Sequence, residues 1–344
     1  MKAGGKRERR YRRRAVALSF VLGAASLAMI AGCGEDEEET LTVYSGREEE
    51  LVAPLFDRFE EETGTELEVR YGETAELAAT ILEEGENSPA DVFFAQDAGA
   101  LGALEKEGRF AEVDEETASR VPPRYRSPDG RWVGTSGRAR VVAYNSKNLD
   151  EGDLPASILD FTDPEWSGRI GWAPSNGSFQ AFVTAMRLTE GEEATEQWLR
   201  GIAANDPVTF DDNEAIRDAI ASGEIDVGFI NHYYVAQAAE EGEGYPVRVD
   251  FPPGDVGSLI NVAGAGVLED AGNPDGASEF VEFLLTDESQ RFFSEETKEY
   301  PLIEGIAADP AVTPLGQIRQ PQVELGELDD LDGTLQLLQR SGAL

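Results

Sequence analysis

The chain has 344 residues, with 29 Lys and Arg against 68 Asp and Glu and a formal net charge of −39; it lacks the positive face that phosphate backbones require, and nucleic acid is excluded as a partner. One cysteine and one histidine leave no intramolecular disulfide, no Ser/His/Asp or Cys/His set and no zinc-ligand spacing. Single domains usually run about 100–200 residues, so two lobes are expected.

Lys2, Lys6, Arg7, Arg9, Arg10, Arg12, Arg13 and Arg14 precede an almost wholly apolar stretch from Ala15 to Ala31, the charged and apolar parts of an export signal. The stretch ends in Ile30-Ala31-Gly32-Cys33, small residues just before a cysteine, which resembles the box at which bacterial prolipoproteins are cleaved and lipidated. Residues 1–32 are therefore expected to be a lipoprotein signal peptide, and Cys33 the lipid-bearing new N-terminus. The alternative is an uncut transmembrane helix, for which this stretch sits at the short end of the roughly 17–25 residues needed. Residues 33–40 read as an acidic, solvated tether. Loss of residues 1–32 removes eight basic residues and Glu8, leaving 21 basic against 67 acidic and a net charge of −46.

Beyond the tether, runs of β-branched and aromatic residues predict strands at Leu41–Ser45, Glu66–Tyr71, Asp91–Ala95, Arg140–Tyr144, Ile170–Ala173, Glu224–Ile230 and Leu259–Val267. Helices are expected between them. Leu51, Val52, Leu55, Phe56 and Phe59 share one helical face, with Pro54 in the first turn or bending the helix. Leu77, Ile81 and Leu82 mark a second helix ending at Gly85, and Leu101 and Leu104 a third ending at Gly108. Later helical patterns fall at Phe179–Leu188, Thr195–Ala203, Glu214–Ala221, Tyr233–Glu240, Ala277–Leu285, Glu288–Glu295 and Leu328–Leu338. Strand and helix in alternation predict an α/β fold with a parallel sheet covered on both faces. No long linker separates the two α/β stretches, so the chain is expected to cross between lobes more than once.

Ligands of open α/β sheets bind outside the carboxyl ends of strands, which directs attention to the residues after Ser45, Ala95, Ala173 and Ile230. These are Tyr44-Ser45-Gly46-Arg47-Glu48, Gln96-Asp97, Ser175-Asn176-Gly177-Ser178 and Asn231-His232-Tyr233-Tyr234. At a helix entrance neighbouring side chains diverge by about 100°, so both phenols can reach one cleft, with Asn231 as the helix cap. Phenolate oxygen is a hard anionic donor, and a strongly acidic trivalent metal deprotonates tyrosine despite its free pKa of about 10. The plain alternative is a pair of half-buried aromatics that pack the lobe.

The strings Leu41–Gly46 (LTVYSG), Pro89–Phe94 (PADVFF), Ser136–Tyr144 (SGRARVVAY), Ser167–Gly171 (SGRIG), Asn213, Ser222–Ile225, Ile230–Tyr234 (INHYY) and Tyr300-Pro301-Leu302 resemble those of the bacterial ferric-binding proteins. In that family the periplasmic component of a ferric-iron ABC importer is a transferrin-like clamp of two α/β lobes, with a hinge and an interlobe cleft of the periplasmic-binding-protein kind. The resemblance covers nearly all of the chain from Leu41 onward. It implies metal-ligand tyrosines at Tyr233 and Tyr234, and a synergistic anion (phosphate or carbonate) at Asn176, Gly177 and Ser178 with Asn213 and Asn231. Where well-known members have a histidine and a glutamate ligand, this chain has Glu48 and Gln96. Glu48 can still supply a carboxylate oxygen, or the first lobe contributes hydrogen bonds alone. Arg47, Arg138 and Arg140 can bind an anion through bidentate contacts, and His232 is read as a neighbour of the ligands.

The resemblance further implies lobe 1 at residues 41–138 plus 265–312 and lobe 2 at 139–264 plus 313–344, with paired crossings near Gly137–Ala143 and Gly257–Gly266. The expected protein is a monomeric, non-enzymatic carrier of Fe³⁺, extracytoplasmic, anchored to the cell membrane through lipidated Cys33 and docking on an ABC permease. The alternatives are a binding protein for a phosphonate, another oxyanion or a polyamine, and a secreted hydrolase.

Overall fold

A computed structural model describes residues 40–344 of the chain, residues 241 and 243 apart. The expected signal peptide, Cys33 and the tether up to residue 39 lie outside the described residues. The chain enters at once into a strand–helix alternation: β1 (Thr40–Ser45), α1 (Glu49–Thr63), β2 (Glu66–Tyr71), α2 (Thr74–Glu84), β3 (Val92–Ala95) and α3 (Ala98–Lys106). The face of α1 read from the sequence is the buried one, with Val52, Leu55, Phe56 and Phe59 inside, each such side chain contributing about 1.5–3 kcal/mol. Pro54 stands in the second turn of α1 rather than the first. It is solvent-exposed, on the side where a lost backbone bond is replaced by water.

A short helix α4 (Glu115–Ser119) leads to β4 (Val133–Asn145). The second alternation runs β5 (Ile170–Trp172), α5 (Gly177–Glu190), α6 (Glu192–Ala204), β6 (Val208–Thr209), α7 (Asn213–Ser222), β7 (Val227–Asn231), α8 (His232–Glu240) and β8 (Val247–Asp250). It is followed by β9 (Ile260–Val267), α9 (Pro274–Leu284), α10 (Asp287–Glu295), β10 (Tyr300–Pro301) and α11 (Leu331–Ser341).

The strand order is β2-β1-β3-β9-β4-β7-β5-β6, with β8 and β10 added on β4. β1 pairs in parallel with β2 and β3, and β5 in parallel with β6 and β7, as βαβ connections require. The middle departs from the all-parallel expectation, because β9 and β4 are antiparallel to their neighbours. β4 is shared by both halves. Its residues Val133–Ala139 pair with β9, and Arg140–Tyr144 pair with β7. Only Arg140–Tyr144 was expected as strand; Gly134 and Gly137 hide the rest, lying where a Cβ would press on Leu302 and, at Gly134, on the carbonyl of Tyr125.

The final helix begins at Leu331 rather than Leu328. Residues 325–327 form a 3₁₀ turn on α3, where Gly99 and Gly102 admit the carbonyls of Leu328 and Gly326 so closely that neither has room for a Cβ. α11 then packs on α5 and α6, with Arg187 on Asp330 and Arg340 on Glu196. The chain thus passes from contact with α3 to contact with α5 and α6 near Asp329.

Candidate functional site

β7 runs into α8 without a loop, so Tyr233 and Tyr234 occupy the first turn of the helix. Their ring centroids lie 4.3 Å apart at 32°, and they are 2% and 7% exposed. Burial holds both phenols above the ordinary tyrosine value. Glu299 adds to the rise at Tyr233 while Arg138 and Arg47 oppose it; Glu48 and Glu214 add to the rise at Tyr234, and the two hydroxyls are hydrogen-bonded to each other. Both phenols are therefore protonated at neutral pH, and either becomes a ligand only by exchanging its proton for a cation.

The residues assigned to an anion form one closed hydrogen-bonded ring. Arg140 Nη1 donates to Asn213 Oδ1 (3.4 Å) and Asn231 Oδ1 (3.1 Å); Asn213 Nδ2 donates to Asn176 Oδ1 (3.3 Å) and Asn231 Nδ2 to Ser178 Oγ (3.1 Å). Asn176 closes the ring by accepting from the Ser178 N–H at 3.1 Å, which makes it the N-cap of α5. Gly177, between Asn176 and Ser178 in the chain, takes no part in the ring; it is exposed, and a Cβ there would meet nothing within 4 Å. Asn231 does not cap α8. It is the last residue of β7, and its amide is spent between Arg140 and Ser178.

The three arginines have different fates. Arg47 lies 1% exposed and gives Nη1 and Nη2 to Glu299 at 3.0 and 2.8 Å, so it is committed to a carboxylate of its own chain. Arg140 is the backbone of the asparagine ring and also donates to the Phe229 carbonyl; burial brings its pKa down to about 9. Arg138 is 2% exposed, and neither of its amino groups has a hydrogen-bond partner among the described residues. Burial, then Arg47, lower its proton affinity, while Tyr233, Glu299 and Asp97 act against this. An uncompensated buried guanidinium is costly, and it stands beside the phenols.

In the first alternation, Gly46 lies so close to the Thr74 hydroxyl that a Cβ has no room. Thr74 Oγ1 donates to Gly46 O at 3.3 Å and accepts from the Gln96 N–H at 3.1 Å, tying the two expected first-lobe loops together. Glu48 is exposed as a residue, but partial desolvation by the surrounding protein raises the pKa of its carboxyl, Arg47 opposing and Glu214 adding. Gln96 Oε1 is buried without a hydrogen-bond partner among the described residues. Asp97 is spent capping α3 through the N–H groups of Gly99 and Ala100.

His232 faces away from ligand duty. Its Nδ1 accepts from the Ala139 N–H of β4 at 3.2 Å, and its ring stacks on Tyr300 at 4.3 Å and 6°; burial takes its pKa down to about 4. Sequence reasoning missed Glu299, which is 0% exposed and holds Arg47, Ser136 and Thr297. The one signal was its place directly before Tyr300-Pro301-Leu302.

Among the described residues no group of three or more His, Cys, Asp or Glu is placed to hold a metal ion, so hard oxygen donors at this site begin with the phenols. A depression of about 360 Å³ lies on the α8 face carrying Val235, Ala236 and Ala239. Neither phenol lines it.

Residues 87–320 match the family model described as bacterial extracellular solute-binding protein. The chain belongs to this family. This solute-binding protein is 34% identical over 309 residues to the major ferric iron-binding protein of Neisseria meningitidis, covering 88% of the chain and 92% of that relative. It is 30% identical over 327 residues to the Fe(3+)-binding periplasmic protein of Serratia marcescens, covering 93% and 96%. Among solved structures, iron-bound HitA from Pseudomonas aeruginosa matches with a TM-score of 0.84 at 35% identity over 88% of this chain and 99% of that one. The two-lobed α/β architecture expected of the solute-binding protein is thereby established, and its relatives bear the names of binding proteins rather than hydrolases.

Proposed function

We propose that this solute-binding protein captures ferric iron together with a synergistic anion and hands it to the permease of an ABC importer. The observation that carries this reading is the buried, ring-to-ring Tyr233 and Tyr234 pair beside an arginine, Arg138, whose two amino groups have no hydrogen-bond partner among the described residues. Two phenolates and the carboxylate of Glu48 are hard anionic donors matched to a hard trivalent cation. The names of the Neisseria and Serratia relatives and the iron-bound HitA structure point the same way.

In this mechanism Fe³⁺ displaces the phenol protons, and the gain from metal–oxygen bonding offsets the burial that otherwise keeps both hydroxyls neutral. The anion, carbonate or phosphate, sits above Gly177, with Arg138 supplying a bidentate cationic partner. Lobe 1 (41–138 plus 265–312) and lobe 2 (139–264 plus 313–344) close by flexing the crossings near Gly137–Ala143 and Gly257–Gly266. The working form is a monomer held near the permease by lipidated Cys33, since diacylation anchors firmly where one chain does not.

The test is titration of the mature protein with ferric citrate in carbonate or phosphate buffer, recording the visible spectrum. A tyrosinate-to-iron charge-transfer band that vanishes in the Tyr233→Phe, Tyr234→Phe variant is expected. No band in either buffer, with thermal stabilisation by a phosphonate alone, would replace iron by the oxyanion reading, in which the asparagine ring and Arg138 do the binding.

A further inference from the structure

The segment Thr297–Tyr300 touches both halves of the site without contributing a ligand. Towards the first-lobe loop, Glu299 holds Arg47, the residue before Glu48, through both guanidinium nitrogens. Towards the tyrosine helix, Tyr300 stacks on His232, the Thr297 carbonyl accepts from Gln237 Nε2 at 3.1 Å, and Lys298 Nζ meets Glu240 Oε1 at 2.6 Å. α8 is thus stitched at its first residue, in its middle and at its last residue to three of four consecutive positions, Tyr300, Thr297 and Lys298, while the fourth, Glu299, holds Arg47.

Lys298 is built for this contact. Its φ of 58° is left-handed, one of two such non-glycine positions among the described residues, a conformation that persists only where the surroundings impose it. It is 4% exposed. Its three ammonium protons have three acceptors: Glu240, Asp309 Oδ2 at 2.9 Å and the Glu295 carbonyl at 2.6 Å. Two of these lie near it in sequence, and the third is on α8. The Asp309 side chain is 15% exposed and the Glu240 side chain 59%. When the halves part, Lys298 can keep Asp309 and Glu295 while Glu240 is taken up by water at little cost.

We propose that Lys298 is a positioning residue for the phenol pair, a latch whose contact with Glu240 holds the tyrosine helix against the segment that anchors Arg47 and yields when the site opens. The proposal rests on Tyr233 and Tyr234 being the ligand-bearing turn. It makes residence of the cargo depend on two side chains that never touch it.

Two variants test it in the full mature protein. Glu240→Gln removes the charge at an exposed helix end, and Lys298→Gly removes the ammonium while suiting the left-handed backbone, so that both fold. Transfer of iron to an excess of chelator, followed in the charge-transfer band, is expected to be about two- to five-fold faster in Glu240→Gln, the range of a half-exposed ion pair, and faster still in Lys298→Gly. The band maximum stays in place, because the ligands are unchanged. Amide hydrogen exchange along residues 232–240 of the iron-free protein rises in both variants. Unchanged release and unchanged exchange overturn the latch; so does a faster release accompanied by an equal loss of thermal midpoint in iron-free protein. A wild type without any band overturns the iron reading instead, and the exchange measurement then decides the latch by itself.

Discussion

Glu299 takes both terminal guanidinium nitrogens of Arg47, at 3.0 and 2.8 Å, and Arg138, buried beside the same carboxylate, is left with no hydrogen-bond partner among the described residues for either amino group. Two buried cations share one buried anion, and the imbalance lies next to Tyr233.

Breaking the satisfied pair is expected to be expensive. Glu299→Ala leaves two uncompensated guanidiniums and should cost about 3–5 kcal/mol in urea unfolding of the iron-free protein. The double variant Arg47→Met, Glu299→Leu should lose less, since Arg138 alone, rather than both guanidiniums, is then left uncompensated.

The unsatisfied arginine should behave in the opposite way. Arg138→Met is expected to raise the stability of ligand-free protein by about 1–3 kcal/mol, the cost of an unmet buried polar group, and to abolish the stabilisation that carbonate or phosphate gives. Calorimetric melting with and without each anion measures both. A variant that loses stability in the absence of any anion would remove Arg138 from the binding role.

Metal capture should release protons. Both phenols are held protonated by burial, and each is needed as phenolate, so about two protons leave per iron bound and affinity rises with pH throughout the neutral range. Potentiometric titration during loading gives the count. Tyr234→Phe should reduce it by about one.

Acidification should cost the iron-free protein stability through His232. Its folded pKa of about 4 lies below the ordinary imidazole value of about 6.5, so between these values the unfolded chain binds a proton that the folded one refuses, and stability falls as pH drops from 6.5 towards 4. The contribution is roughly 3 kcal/mol. Unfolding curves of wild type and His232→Gln across that window should diverge by this amount, the variant losing less.

Much of the site was legible before the fold. The strand ends at Ser45 and Ala95 lie where the β-branched runs placed them, and β7 runs one residue past the expected Ile230 to Asn231, because a buried strand must be apolar and a loop that meets a ligand cannot be. The phenol pair was legible because two adjacent residues in a first helical turn share a region whatever surrounds them. Arg47, Arg138 and Arg140 looked alike in the sequence, and nothing local separates them. Their roles depend on partners 252, 73 and 91 residues away for Arg47 and Arg140, and on the lack of any among the described residues for the amino groups of Arg138. The same distance in sequence hid Glu299.

The amino-acid sequence by itself determined the alternation of strands and helices, the acidity that rules out nucleic acid and the two phenols at the mouth of α8, since these follow from periodicity, composition and neighbouring positions. Only the tertiary structure decided which buried cation is paired and which is open to an anion, that four of the five expected anion residues close a ring on Arg140, and that Lys298 reaches the tyrosine helix. Those depend on burial and on contacts between segments far apart in the chain, and electrostatic cost in a protein interior is set by the company a charge keeps rather than by its own chemistry.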